Sequence, residues 1–280
     1  MTSSFAFMKQ MRRHLNVPVG STILLVLVLV ALFAPMLASI DPQDIDPLAR
    51  MKPASAEHVF GTDALGRDLW ARTVWGARVS LIVGGLVAVL SIVIGVAIGM
   101  LAGYFRRLDS IIMRFMDGLM AIPGVLLAIA LMATMRASLT TVVVAIVIPE
   151  IPRVVRLVRA LVLTIREQPY VEAAVAVGTR VPAILLRHIL PNLFAPVMVQ
   201  ATFIAASAVL TEAALSFLGV GIPPQVPTWG NMMAEGRNYI SVAFHIVLYP
   251  GIFLAVTVLA INMLGDGLRD MLDPRLARKL

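Results

Sequence analysis

Six stretches of roughly 20 predominantly apolar residues recur along this chain, and that is the length a helix needs to cross the hydrocarbon core of a bilayer. Only helices and closed barrels satisfy their backbone polar groups in lipid, and the alternating strands of a barrel are absent, so the spans are read as helices. They run from Val19 to Ile40, Val79 to Gly103, Ile111 to Met135, from Leu139 toward Pro152, from Leu193 to Leu215 and from Val242 to Leu264. Composition agrees: 59% of the 280 residues are hydrophobic and 14% charged, where a soluble domain is near half and a quarter. The expected fold is therefore an all-α polytopic membrane protein with six transmembrane helices.

The basic residues sort with respect to these spans. The net charge of +7 sits in clusters beside them, which reads as a topology signal rather than a nucleic-acid surface. With the N-terminus inside, sixteen of the chain's 23 Lys and Arg fall on inner segments and seven on outer ones. Cysteine is absent, so no disulfide or thiolate metal site exists. Residues 1–18 form an expected cytoplasmic segment, with Phe5, Met8, Met11 and Leu15 at helical spacing around Lys9, Arg12 and Arg13; a disordered basic tail is the alternative. Residues 19–40 exceed the apolar core of a signal peptide and are expected to be retained as an anchor. An outer loop over 41–76, a five-helix core over 77–269 with an inner loop at 165–192, and an inner tail over 270–280 complete the layout.

Details within the spans carry further expectations. Gly95 and Gly99 make a small-xxx-small pair suited to close helix packing. Arg114 and Asp117, three apart, suit a local ion pair. Pro149 and Pro152 imply a bend around Glu150, which either pairs with Arg153 or has a functional role. Glu212 falls near the outer end of the fifth span, roughly 28 Å along it at 1.5 Å per residue.

The polar interruption from Val171 to Asn192, VEAAVAVGTRVPAILLRHILPN, reads as helix, turn, helix. Small side chains at Ala173, Ala174 and Ala176 leave one face open, Gly178 permits a left-handed reversal, and Pro191 limits the second helix. This segment resembles the cytoplasmic EAA loop of ABC importer permeases, whose pattern is EAA, three residues, Gly, nine residues, Ile, one residue, Leu-Pro. Glu172, Ala173, Ala174, Gly178, Leu190 and Pro191 fall on it in register; only the Ile position departs, being His188.

A second run points the same way. Gly61, Thr62, Asp63, Gly66, Arg67 and Asp68 resemble the GTD, two residues, GRD signature of dipeptide and oligopeptide permeases, with either a structural role or contact with substrate or a binding protein. Leu215 to Gly219, Trp229 to Gly230 and the tail from Asn262 to Arg275 resemble the same group, as its C-type permease subunit. The resemblance implies the type I ABC importer (MetI-like) permease fold and a bacterial inner-membrane location, with both termini cytoplasmic. It implies a heterodimer with a second homologous permease chain, two cytoplasmic ABC ATPase subunits gripping the loop at Glu172 to Pro191, and an extracytoplasmic binding protein delivering peptides. Some members of the group carry nickel chelates or glutathione, so the substrate stays open.

The chemistry missing from the chain agrees with a non-catalytic subunit. None of Lys9, Lys52 and Lys279 follows a glycine, so no phosphate-cradling lysine loop is present. His14, His58, His188 and His245 are isolated, no Gly-x-Ser triplet occurs, and neither a cofactor nor a metal is called for. The alternative is a secondary transporter driven by an ion gradient through Asp117, Glu150 or Glu212.

Overall fold

A computed structural model of the chain describes residues 16–272; the amphipathic N-terminal pattern and the last eight tail residues, 273–280, lie outside them. Among the described residues the structure is helix and loop, with one isolated antiparallel bridge between Thr62 and Asp68. Helix α1 (Asn16–Leu32) is followed by the one-turn α2 (Ala34–Leu37) and a loop carrying a 3-10 turn at Pro47–Ala49. Then come α3 (Leu69–Tyr104), α4 (Arg106–Met120), α5 (Gly124–Thr134) and α6 (Leu139–Ile165). The loop over 165–192 holds α7 (Pro169–Ala176) and α8 (Val181–Ile184), which runs through a π-turn (Leu185–Ile189) into α9 (Leu190–Phe217). Short α10 (Trp229–Gly236) and long α11 (His245–Leu272) close the chain.

Among the described residues, three helical runs are long and apolar enough to cross a membrane: α3, the run from Val181 to Phe217, and α11. The pair α4 and α5 would make a fourth if taken as one span, but it is bent by 84°. The sequence led us to expect one straight span from Ile111 to Met135; Pro123, which caps α5, stands at the break. The first expected span also divides, with Pro35 in the first turn of α2.

Pro191 does not end the second helix of the hairpin, contrary to expectation. The π-turn widens the helix there: the Leu190 amide reaches back five residues to the Leu185 carbonyl. The Asn192 side-chain amide donates to the His188 carbonyl at 2.7 Å, and the missing donor of Pro191 is absorbed without a break.

The core lies where α3, α5, α6 and α9 meet, around Val83, Val87, Ala128, Val142, Ile146, Leu193 and Ile204. α3 packs most heavily on α6, and sequence spacing explains why. Val154, Val158 and Val162 lie four apart on α6 and face Gly95, Gly99 and Gly103, four apart on α3. A Cβ at those glycines would come within 2.5, 2.7 and 2.6 Å of the respective valine Cβ atoms. The helices approach this closely because three consecutive turns of α3 lack side chains. At Gly20 and Gly267 the same device seats α1 on α11.

Candidate functional site

The hairpin of α7 and α8 is held on one face and open on the other. α6 ends at Ile165, and only Arg166 to Gln168 separate it from α7. On α7, Val171 and Ala174 are buried, Val171 joining the main core, while Glu172, Ala173 and Ala176 on the opposite face are exposed. α7 ends in a Schellman motif: the Thr179 amide donates to the Ala174 carbonyl at 3.0 Å and the Gly178 amide to the Val175 carbonyl at 2.9 Å. Gly178 sits at φ 79°, the left-handed conformation that motif requires, and a Cβ there would meet nothing within 4 Å. Among the described residues, backbone conformation is what calls for glycine at this position.

The remaining residues of the expected motif extend this body. His188 is half-buried, its ring 6.5 Å from Tyr170 at the start of α7. Leu190 and Pro191 open α9, whose Leu193 is buried in the main core together with Ile184 and Ile189. The hairpin is thus continuous with α6 on one side and α9 on the other. Val177, 81% exposed, stands at the tip beside half-exposed Val175 and Tyr170.

Polar contacts fix α6 above the hairpin. The Arg159 guanidinium grips both oxygens of Asp109 on α4, with Nη2 at 2.6 Å from Oδ2. Asp109 precedes the apolar run beginning at Ile111, and the hydrogen bond from Arg159 holds its carboxyl below the ordinary aspartate range. Asp117 pairs with Arg156 at 2.6 Å rather than with Arg114, correcting the expected local pair: α4 turns both of its carboxylates toward the arginines of α6. Arg166 Nη1 donates to the Gly103 carbonyl at 2.9 Å, tying the foot of α6 to the end of α3.

The second expected motif forms a knot at the head of α3. Gly61 and Gly66 adopt φ of 77° and 84°. An added Cβ would lie 2.4 Å from the Lys52 carbonyl oxygen at Gly61 and 1.8 Å from that of Asp46 at Gly66, so the loop over 41–68 folds tightly upon itself. Thr62 is buried and donates its hydroxyl to the Ala49 carbonyl while accepting from the Lys52 amide at 2.9 Å. Asp63 accepts the amides of Leu65 and Arg67 on one oxygen and the guanidiniums of Arg67 and Arg72 on the other. Both arginines also reach Glu235 on α10, at 2.6 and 2.8 Å. Asp68 caps α3 through the Ala71 amide at 2.7 Å and receives His58 Nδ1 at 2.9 Å.

Sequence reasoning placed Asp63, Arg67 and Asp68 in one motif but missed Arg72 and Glu235. Arg72 stands one helical turn beyond Asp68, a spacing that carries the signal. Glu235 lies 163 residues beyond Arg72 and has no local signature.

The three carboxylates that a gradient-driven transporter would use are otherwise engaged. Asp117 pairs as above, and Glu150 accepts from Arg153 at 3.0 Å. Glu212 is fully buried and accepts the Ser216 hydroxyl at 2.9 Å and the Ser80 hydroxyl at 3.4 Å, joining α9 to α3.

Comparison with known proteins adds the family. Residues 91–278 match the model of the binding-protein-dependent transport system inner membrane component, and residues 6–54 match that of the N-terminal TM domain of oligopeptide transport permease C. The chain is 54% identical over 268 residues to a probable peptide ABC transporter permease protein of Sinorhizobium fredii, covering 96% of this chain and 92% of the relative. It is 42% identical to a dipeptide transport system permease protein of Alkalihalophilus pseudofirmus, over 96% of this chain and 88% of that one. To an oligopeptide transport system permease protein of Bacillus subtilis it is 38% identical, over 93% and 86%.

Proposed function

The chain belongs to the binding-protein-dependent transport system inner membrane components and is an integral membrane permease subunit of an ABC importer; from that premise we propose that it forms half of the path by which peptides enter the cell. A second homologous permease supplies the other half, two ABC ATPase subunits bind from the cytoplasm, and an external binding protein delivers the substrate. The names of the relatives, which speak of peptides, dipeptides and oligopeptides, support that substrate class. We place six helices across the inner membrane, with α1, the bent α4 and α5, and α6 completing the three long apolar runs, and both termini in the cytoplasm. The distribution of Lys and Arg supports that orientation.

The observation that carries the mechanism is the hairpin. α7 shows a small-residue face with Glu172 to the outside while Val171 and Ala174 fasten it to the core. Only the short turns 166–168 and 177–180 separate it from α6 and from the helical run into α9, so displacement of α7 by an ATPase moves both helices. Through the glycine-valine seam, α6 carries α3 with it. Coupling then needs only that the ATPase pair contact α7 differently in its open and closed states. Asp117, Glu150 and Glu212 are each engaged within the chain, Asp117 and Glu212 in contacts that join its helices.

The test is uptake by the reconstituted importer. Glu172→Lys and Gly178→Asp are each expected to abolish ATP-driven import while membrane insertion and the amount of chain stay at the parent level. Unchanged uptake in both would remove the role given to α7.

A further inference from the structure

We propose that α6 borders the water-filled inner half of the substrate path and that Arg153 on it receives the terminal carboxylate of the passing peptide; the assignment rests on the permease reading above. Arg153, Arg156 and Arg159 follow one another at three-residue spacing and fall on one side of α6, off the ridge of Val154, Val158 and Val162 that packs on α3. That packing fixes how deep they lie. Val154 meets Gly95, whereas α3 ends at Tyr104, about 14 Å further toward the cytoplasm at the helical rise per residue. Arg153 therefore stands well inside the span, where acyl chains cannot solvate a guanidinium. Its side chain is nonetheless 55% accessible. A half-open charge at that depth belongs to a wet cavity rather than to the lipid face.

The three arginines are bonded differently. Arg156 and Arg159 are met by Asp117 and Asp109 of α4. Arg153 has Glu150, on its own helix, and that carboxylate spends both oxygens on a single nitrogen: Nη1 donates to Oε1 at 3.0 Å and to Oε2 at 3.3 Å. Glu150 is only 9% accessible, so the acid holds the arginine from within and the guanidinium reaches outward. Among the described residues no group accepts from Nε or Nη2 of Arg153. Those two nitrogens form the side-on fork that takes a carboxylate through two parallel hydrogen bonds. A peptide carries such a carboxylate at its C-terminus. Bringing that charge to this depth is costly, and a cation placed there offsets the cost.

The test compares a peptide with and without that charge. The assembled importer is reconstituted in liposomes with its external binding protein at saturation, loaded with trialanine or with trialanine amide. Both variants carry Glu150→Gln, so that no buried carboxylate is stranded; one keeps Arg153 and the other adds Arg153→Gln. Loss of the cation should lower the ratio of acid to amide uptake about tenfold, the factor of one charge-assisted hydrogen bond. An unchanged ratio, or equal slowing of both peptides, would overturn the assignment and leave peptide import itself standing. Uptake of neither peptide by the parent would remove the peptide reading and this assignment with it.

Because the chain has no cysteine, Glu150→Gln with Arg153→Cys also gives it a single thiol. A membrane-impermeant methanethiosulfonate added from the ATPase side is expected to modify it. A thiol that only a lipid-soluble reagent reaches would return this side of α6 to the bilayer, and one that neither reagent reaches would bury it against the second permease chain; either result overturns the proposal.

Discussion

The knot at the head of α3 and the hairpin at the foot of α6 were both legible as motifs, yet they are built on opposite plans. In the knot, Asp63, Arg67, Asp68 and Arg72 are buried, and each finds its partners within the chain. In the hairpin, Glu172 and the small residues beside it face outward. One region is complete alone; the other is a firmly mounted surface that the described residues do not cover. Loss of a knot residue should therefore cost folding, and loss of an outward hairpin residue should cost function with the fold intact.

The strongest way to break that contrast is Arg72→Met. It leaves Asp63 with half of its guanidinium partners in a buried setting, for an expected loss of about 3–5 kcal/mol. The readout is the yield and melting temperature of the detergent-solubilised protein. Adding Asp63→Asn should return part of the loss, because no buried charge is then stranded in that pair. A melting temperature equal to the parent's in Arg72→Met would show the knot to be ornamental.

Next comes one substitution made twice. Gly66→Ala drives a methyl group into the Asp46 carbonyl, 1.8 Å away, from a backbone at φ 84°. The loop must open, at about 3 kcal/mol or more. Gly178→Ala carries the same left-handed penalty, about 1–2 kcal/mol, but its new methyl meets nothing. Folded yield should fall sharply in the first and little in the second. Equal losses would mean that conformation, not enclosure, sets the cost at both sites.

What could be read from the sequence follows the same division. The all-helical character, the long apolar runs of α3, α9 and α11, and the local geometry of both motifs were legible because they rest on local facts: runs of apolar residues, glycines at turns, charges four apart. Glu235 was hidden because its partners come from the other end of the chain, and the 84° bend because Pro123 marks a break without giving its direction. Pro191 misled because a proline signals an end only where the helix cannot widen. The π-turn from Leu185 to Ile189 does widen it, and no local pattern announced that. The partner of Asp117 was misassigned for a related reason: Arg114 is near in sequence, but the packing of α4 on α6 brings Arg156 to it instead.

The smallest expected effect concerns Asp109 and Arg159, which lie between the two plans: a specific paired contact, but a partly exposed one, with side chains 22% and 31% accessible. The carboxyl is held below its ordinary range by the Arg159 hydrogen bond. A depressed carboxyl stabilises the fold above its unfolded value, about 3.9, and that stabilisation fades as pH falls through the lower folded value. Asp109→Asn should therefore lower stability at neutral pH by less than about 1 kcal/mol, the range of a solvent-screened pair. The difference from the parent should vanish in strong acid. Melting temperatures of the two proteins followed from neutral pH down into strong acid, with and without added salt, measure this. A gap that persisted at low pH or ignored salt would mean that the side chain acts by packing, and that α4 is held to α6 by shape rather than by charge.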